Sequence, residues 1–187
     1  MKVLALDLST HTGWAVFESG NLTAKGLLEV PVLNFNVNKK PEKAPDYPFN
    51  LLDASNQMAG LVLNLWKAHA PDVVVIENTV MGRNRNTQRL LEFIHKSVLE
   101  ILRFHKVKPL YMDPSEWRAL IRLRMTKEDL KNNKLVSAGK SRGKITRKHL
   151  SVRYVNENFG LAFGLKDNDI ADAICLGAAA LQRLSGR

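Results

Sequence analysis

At 187 residues, 45% of them hydrophobic, the chain has enough apolar side chain for one ordinary domain with a substantial core. Its single cysteine, Cys175, excludes an intrachain disulfide; no apolar run approaches membrane-spanning length, and the N-terminal MKVLALDLS meets an acid too soon for a secretory signal, so a soluble cytosolic protein is expected. The formal net charge of +10 sits in one place, because between Arg118 and Arg153 twelve Lys and Arg face two acids, Glu128 and Asp129, while the rest of the chain balances; such a block points to a polyanionic partner, the alternative being a solvated face.

Lys2 to Leu8 carries a short apolar run that reads as a buried strand ended by an acid. After the Ser9–Gly13 turn, Trp14 to Phe17 form a second run, and Gly20-Asn21 separates it from a third candidate strand, Leu22 to Val30. Three strands joined by tight turns predict an antiparallel meander. Residues 31–48, with Pro31, Pro41, Pro45 and Pro48 among Asn and Lys, predict a loop. From Phe49 the spacing of Leu52, Met58, Ala59, Val62, Leu63 and Trp66 predicts an amphipathic helix. Pro71-Asp72 then introduces VVVI, a β-branched run ending at Glu77 that reads as a central strand.

Asn86 to His105 is a second helical pattern, with Leu90, Leu91, Ile94, Val98, Ile101 and Leu102 on one face, followed by a short strand from Val107 to Met112. The basic stretch over 120–143 lacks sustained periodicity and reads as a loop or insertion ordered by a ligand. Lys144 to Asn156 and Asn168 to Leu184 read as helices, and no internal repeat is visible. The order implies an α/β class, with a mixed sheet flanked by helices rather than a uniform βαβ array.

Four acids stand out. Asp7 and Glu77 each end a strand, and Asp169 and Asp172, three apart at the start of the last helix, project from one side of it. Two strand ends can be adjacent in one sheet with a helix start packed over them. Four carboxylates at close range need compensation, which Mg²⁺ or Mn²⁺ can supply; two ions roughly 3.5–4 Å apart would suit phosphodiester cleavage. Taken singly, each acid is weak evidence and reads more readily as a turn or helix cap, and Asp167 is a rival ligand. The five histidines and Cys175 show no zinc spacing, Cys175 lies in an apolar setting that reads as core, and no glycine-rich nucleotide loop is present.

The segments VLALDLSTHTGWAVF, VVVIENTVMGRNRNTQRL, GKSRGKITRKHL and DNDIADAICLGAAA resemble, in order and spacing, the motifs of RuvC-type Holliday-junction resolvases, over most of the chain apart from residues 31–48 and 120–138. The resemblance implies a ribonuclease-H-like fold, a homodimer and symmetric metal-dependent nicking of four-way DNA junctions. It implies Asp7, Glu77, Asp169 and Asp172 as ligands for two Mg²⁺ or Mn²⁺ ions. Lys144 matches a basic position near the scissile phosphate, and Arg118 is a second candidate for that role. Arg83, Arg85 and Arg89 follow Glu77 and could hold backbone phosphates, or form a solvated helix start. Lys140, Arg142, Arg147 and Lys148 are further candidates for phosphate contact.

Val80 stands where the family often has an aromatic residue, which implies weak sequence preference at the cut site. The long stretch around 120–138 suggests a phage or mobile-element version. The rival readings are another structure-selective nuclease of the same fold, a non-catalytic DNA-binding module, and an actin-like ATPase, whose further glycine loops are absent from the sequence.

Overall fold

The computed structural model describes residues 1–30, 48–79, 85–140 and 142–186. The loop expected over 31–48 lies outside these except for Pro48, as do Val80 and Arg83; the side chain of Arg85 is likewise outside the description.

Three strands form the expected meander: β1 (Lys2–Asp7), β2 (His11–Glu18) and β3 (Asn21–Glu29). Ser19 and Gly20 both take positive φ, 50° and 88°, and turn β2 directly into β3 with Glu18 opposite Asn21. A turn of that sense matches the right-handed twist of the strands it joins. Two further strands, β4 (Val73–Glu77) and β5 (Leu110–Met112), pair parallel, giving the order β3-β2-β1-β4-β5. Only three residues of the expected Val107–Met112 strand pair with β4.

Helices cover both faces of the sheet. On one side α1 (Phe49–His69) and α2 (Arg85–Phe104) pack over Leu4, Leu6, Val74 and Ile76. The buried stripe of α1 is Leu51, Ala54, Met58, Val62 and Leu65, slightly rotated from the expected one, since Leu52, Leu63 and Trp66 are half-buried. Leu90, Ile94, Val98 and Leu102 of α2 face inward, so its apolar face is core. On the other side α3 (Pro114–Leu120), α5 (Arg147–Phe159) and α6 (Asn168–Ser185) enclose Val3, Ala5, Val75 and Trp117. The small residues of α6 let it approach closely: a Cβ on Gly177 would lie 2.4 Å from the Phe17 ring. Among the described residues no helix is long and apolar enough to cross a membrane.

The loop expected over 120–143 is corrected. Residues Lys127–Ser137 form helix α4. Thr126 Oγ1 accepts from Asp129 N at 3.1 Å while Asp129 Oδ2 accepts from Thr126 N at 2.9 Å, a reciprocal cap that starts the helix. Apolar periodicity is missing because α4 is held by polar anchors. Arg153 of α5 donates to both oxygens of Asp129, at 3.1 and 2.6 Å. Asn133 donates to Ile145 O at 2.9 Å and accepts from Ile145 N at 2.8 Å. Helix α3 also went unforeseen; Asp113, Pro114 and Glu116 provide its start.

Candidate active site

The register of the sheet places two carboxylates together. At the start of β1, Lys2 N donates to Asp72 Oδ2 at 2.6 Å and Lys2 O accepts from Asp72 N at 2.9 Å. From that clamp both strands run the same five residues to their acids, through the pairs Val3–Val73 to Leu6–Ile76. Side chains alternate along a strand. Since Val3, Ala5, Val73 and Val75 face α6, Asp7 and Glu77 point to that side too.

The third and fourth acids come from α6. Asp7 pairs with Gly13 across the β1–β2 ladder. A Cβ on Gly13 would stand 1.9 Å from Asp169 O, so only glycine lets the start of α6 rest on this strand. Asp169 and Asp172 thereby come over the ends of β1 and β4. Burial chiefly, then the charges of Glu77, Asp172 and Asp169, push the Asp7 carboxyl well above the usual carboxylate range, with Arg118 opposing. Asp7 keeps some residue surface, yet its carboxyl lies among the other acids and is desolvated.

Glu77 is raised from 4.5 to about 7, mainly by burial and further by Asp172, against the lowering effects of Arg118 and of a 3.0 Å hydrogen bond donated by Trp117 Nε1. Asp172 is also raised by burial. The nearby Ser151 hydroxyl, buried and without a full hydrogen bond, moderates that rise, as do Arg118 and Lys148.

Two cations therefore reach the cluster. Arg118 of α3 lies over the Trp117 ring, 4.4 Å from its centroid, with its Nε buried and unpartnered. Lys148 of α5 donates from Nζ to Asn168 Oδ1 at 3.2 Å. Lys144 is exposed on the segment leading into α5 and does not figure among the charges acting on these acids. Arg118, Arg124 and Arg147 line a cleft of about 540 Å³. Arg89, Lys140 and Arg142 are exposed. Asp167, the rival ligand, accepts from Gly164 N at 2.9 Å and closes the turn before α6.

Sequence reasoning missed Trp117, Ser151 and Arg124. Trp117 sits beside Arg118 in the PSEWRAL segment, and a buried indole that needs an acceptor was the available signal.

Four carboxylates around a desolvated centre are the donor set that hard divalent cations prefer. Among the described residues no three His, Cys, Asp or Glu side chains stand close enough to hold a metal as they are placed. Trp117 holds one oxygen of Glu77 and Asn168 Nδ2 one oxygen of Asp169, so joint ligation by the four acids requires some of these side chains to turn. The donor chemistry fits such an ion, and the uncompensated charge favours one.

No family model matches the sequence, and no curated protein matches it significantly. Among solved structures, Thermus thermophilus RuvC in complex with a Holliday junction substrate is similar over 100% of this chain and 96% of its own, with a TM-score of 0.66 and 14% identity. A second Thermus thermophilus RuvC structure gives 0.65 with the same coverage and identity. The yeast mitochondrial Holliday junction resolvase is similar over 98% of this chain and 78% of its own, with a TM-score of 0.57 and 16% identity. The chain thus has the RuvC-type, ribonuclease-H-like fold, as the motif resemblance implies.

Proposed function

We propose that this chain is a divalent-metal-dependent endonuclease that nicks four-way DNA junctions, with Asp7, Glu77, Asp169 and Asp172 as metal ligands. The observation that carries the reading is the gathering of these four acids around one desolvated centre, where burial and mutual repulsion raise Asp7, Glu77 and Asp172 together. A non-catalytic DNA binder gains nothing from such a cluster, because it repels phosphate.

Asp7, Glu77, Asp169 and Asp172 would hold two Mg²⁺ or Mn²⁺ ions, which would supply activation of water and neutralisation of the leaving oxygen for a cleavage that leaves a 5′-phosphate and a 3′-hydroxyl. The chain's own residues prepare the place. Trp117 fixes one oxygen of Glu77. Arg118 and Lys148 offset part of the acids' charge, so a phosphodiester can approach. Arg147 and Arg124 share a cleft with Arg118 and extend the positive surface along the strand being cut. Lys140, Arg142 and Lys144 extend it into the segment before α5, Arg89 extends it onto α2, and Arg83 and Arg85 are proposed as further phosphate contacts.

Two symmetric nicks need two active sites related by a two-fold axis, so the working unit is a homodimer. Since the apolar face of α2 is core, the contact uses its outward face. The enzyme acts inside the cell, and a phage-encoded version fits the long basic stretch that carries α4. Cleavage of end-labelled four-way, three-way, flap and RNA–DNA hybrid substrates, with Mg²⁺ and Mn²⁺ separately, tests the reading. Paired nicks at symmetric positions in the four-way junction are expected; cleavage confined to flaps or hybrids overturns it.

A further inference from the structure

Helix α4 carries three lysines on one face, of which only Lys134, in the last turn, stands where the helix dipole favours a cation. Lys127, Lys131 and Lys134 follow i, i+4, i+7 spacing, which at 3.6 residues per turn puts them within about 60° of arc. Like charges three or four residues apart repel, and Lys127 in the first turn opposes the helix dipole. All three are exposed, and none has a carboxylate partner among the described residues. The opposite side of α4 is anchored. Asp129, 7% exposed, is gripped by Arg153, and Asn133 clamps the Ile145 backbone in both directions.

A helix of this length without an apolar face would not hold in isolation. Here two paired polar contacts, Asp129 with Arg153 and Asn133 with the Ile145 backbone, hold the helix with its row of cations outward. The row spans about 10 Å at 1.5 Å per residue, against about 3.4 Å of helix axis per nucleotide of one DNA strand. That length is about three nucleotide steps of one strand.

We infer that the outward face of α4, through Lys127, Lys131 and Lys134, is a preformed phosphate-binding ridge that grips one strand of a duplex arm, separately from the carboxylate site. The inference rests on the reading of the chain as a junction nuclease and adds a surface to it. The anchors tie the ridge to α5 through Arg153 and to the segment leading into α5 through Ile145, and Lys148 of α5 stands at the carboxylates. The arm held on α4 is therefore fixed relative to the strand presented for cutting.

The test is fluorescence anisotropy on a labelled four-way junction with Ca²⁺ present, over a series of salt concentrations. The wild-type protein is compared with the triple variant Lys127→Gln, Lys131→Gln, Lys134→Gln. A second triple variant, Lys67→Gln, Lys106→Gln, Lys108→Gln, makes the same change of net charge elsewhere. Each neutralised phosphate contributes about 0.9 to the slope of log affinity against log salt. The α4 variant should lose about 2 to 3 from that slope and on the order of 10- to 100-fold in affinity at 0.1 M salt. The control variant should lose less than about 1. Circular dichroism and melting of both variants verify the fold. An α4 variant with an unchanged slope, or a control that loses as much, overturns the ridge. A wild-type protein that ignores the junction altogether overturns the nuclease reading instead.

Discussion

Gly13→Ala would test the claim that one close backbone approach assembles the site. The added Cβ would lie 1.9 Å from Asp169 O and 2.3 Å from Asp169 C. Both are backbone atoms, so no rotamer change relieves the clash, and the start of α6 must retreat by about 1.5 Å to restore contact distance. Overpacking of this kind costs about 1–3 kcal/mol in stability. The consequence for catalysis should be larger, because the displaced turn carries Asp169 and leads to Asp172. A misplacement of about 1 Å at a reacting centre can cost on the order of 100-fold in rate.

Single-turnover nicking of a labelled four-way junction under saturating protein, together with thermal melting, measures both effects. Gly177→Ala is the matched control: its Cβ meets the Phe17 ring at 2.4 Å, away from the acids. The control should show a comparable loss of stability with less than about tenfold loss of rate. Near-normal nicking by Gly13→Ala, or equal rate losses in the two variants, would refute the reasoning.

Asp7→Asn and Glu77→Gln should each abolish nicking while junction binding holds or tightens, since less negative charge then faces the phosphate; near-normal nicking in Mg²⁺ by either variant removes it from the site. Glu77, raised from 4.5 to about 7, favours folding with its proton on. That contribution is fully present below pH 4.5 and lost as pH rises through about 7, which costs the metal-free protein about 3 kcal/mol above that point. Millimolar Mg²⁺ should therefore raise the melting temperature clearly at pH 8 and little at pH 5; equal shifts at both would contradict this. Trp117→Phe removes a hydrogen bond that lowers Glu77, so the acid limb of the pH–rate profile should move to higher pH, where an unmoved limb would deny Trp117 its positioning part. Light scattering should give twice the 21.0 kDa chain mass, and charge reversal at Lys96 and Arg103 on the outward face of α2 should shift the protein toward monomer.

Much of the architecture was legible in the residues because it follows from short-range patterns. Apolar runs ending in Asp7 and Glu77 marked β1 and β4, and the helical spacing of Leu90, Ile94, Val98 and Leu102 marked α2. The three-residue spacing of Asp169 and Asp172 placed both on one side of α6. Motif order carried the rest, pointing to a fold that the chain indeed has at only 14% identity to its structural neighbours.

Other features were set by contacts between residues far apart in sequence. The Lys2–Asp72 clamp fixes the register that aligns Asp7 with Glu77, and Gly13 admits α6; neither has a local signature. Helix α4 was misread because its inward face is buried Asp129 and half-buried Asn133, which periodicity counts as polar and therefore exposed. The cation that meets the acids from α5 is Lys148 rather than Lys144. Spacing puts both in the same basic run, and only the packing of α5 against α6 chooses the one that arrives. Local sequence determined which side chains could do the chemistry, and long-range packing determined which of them stand together.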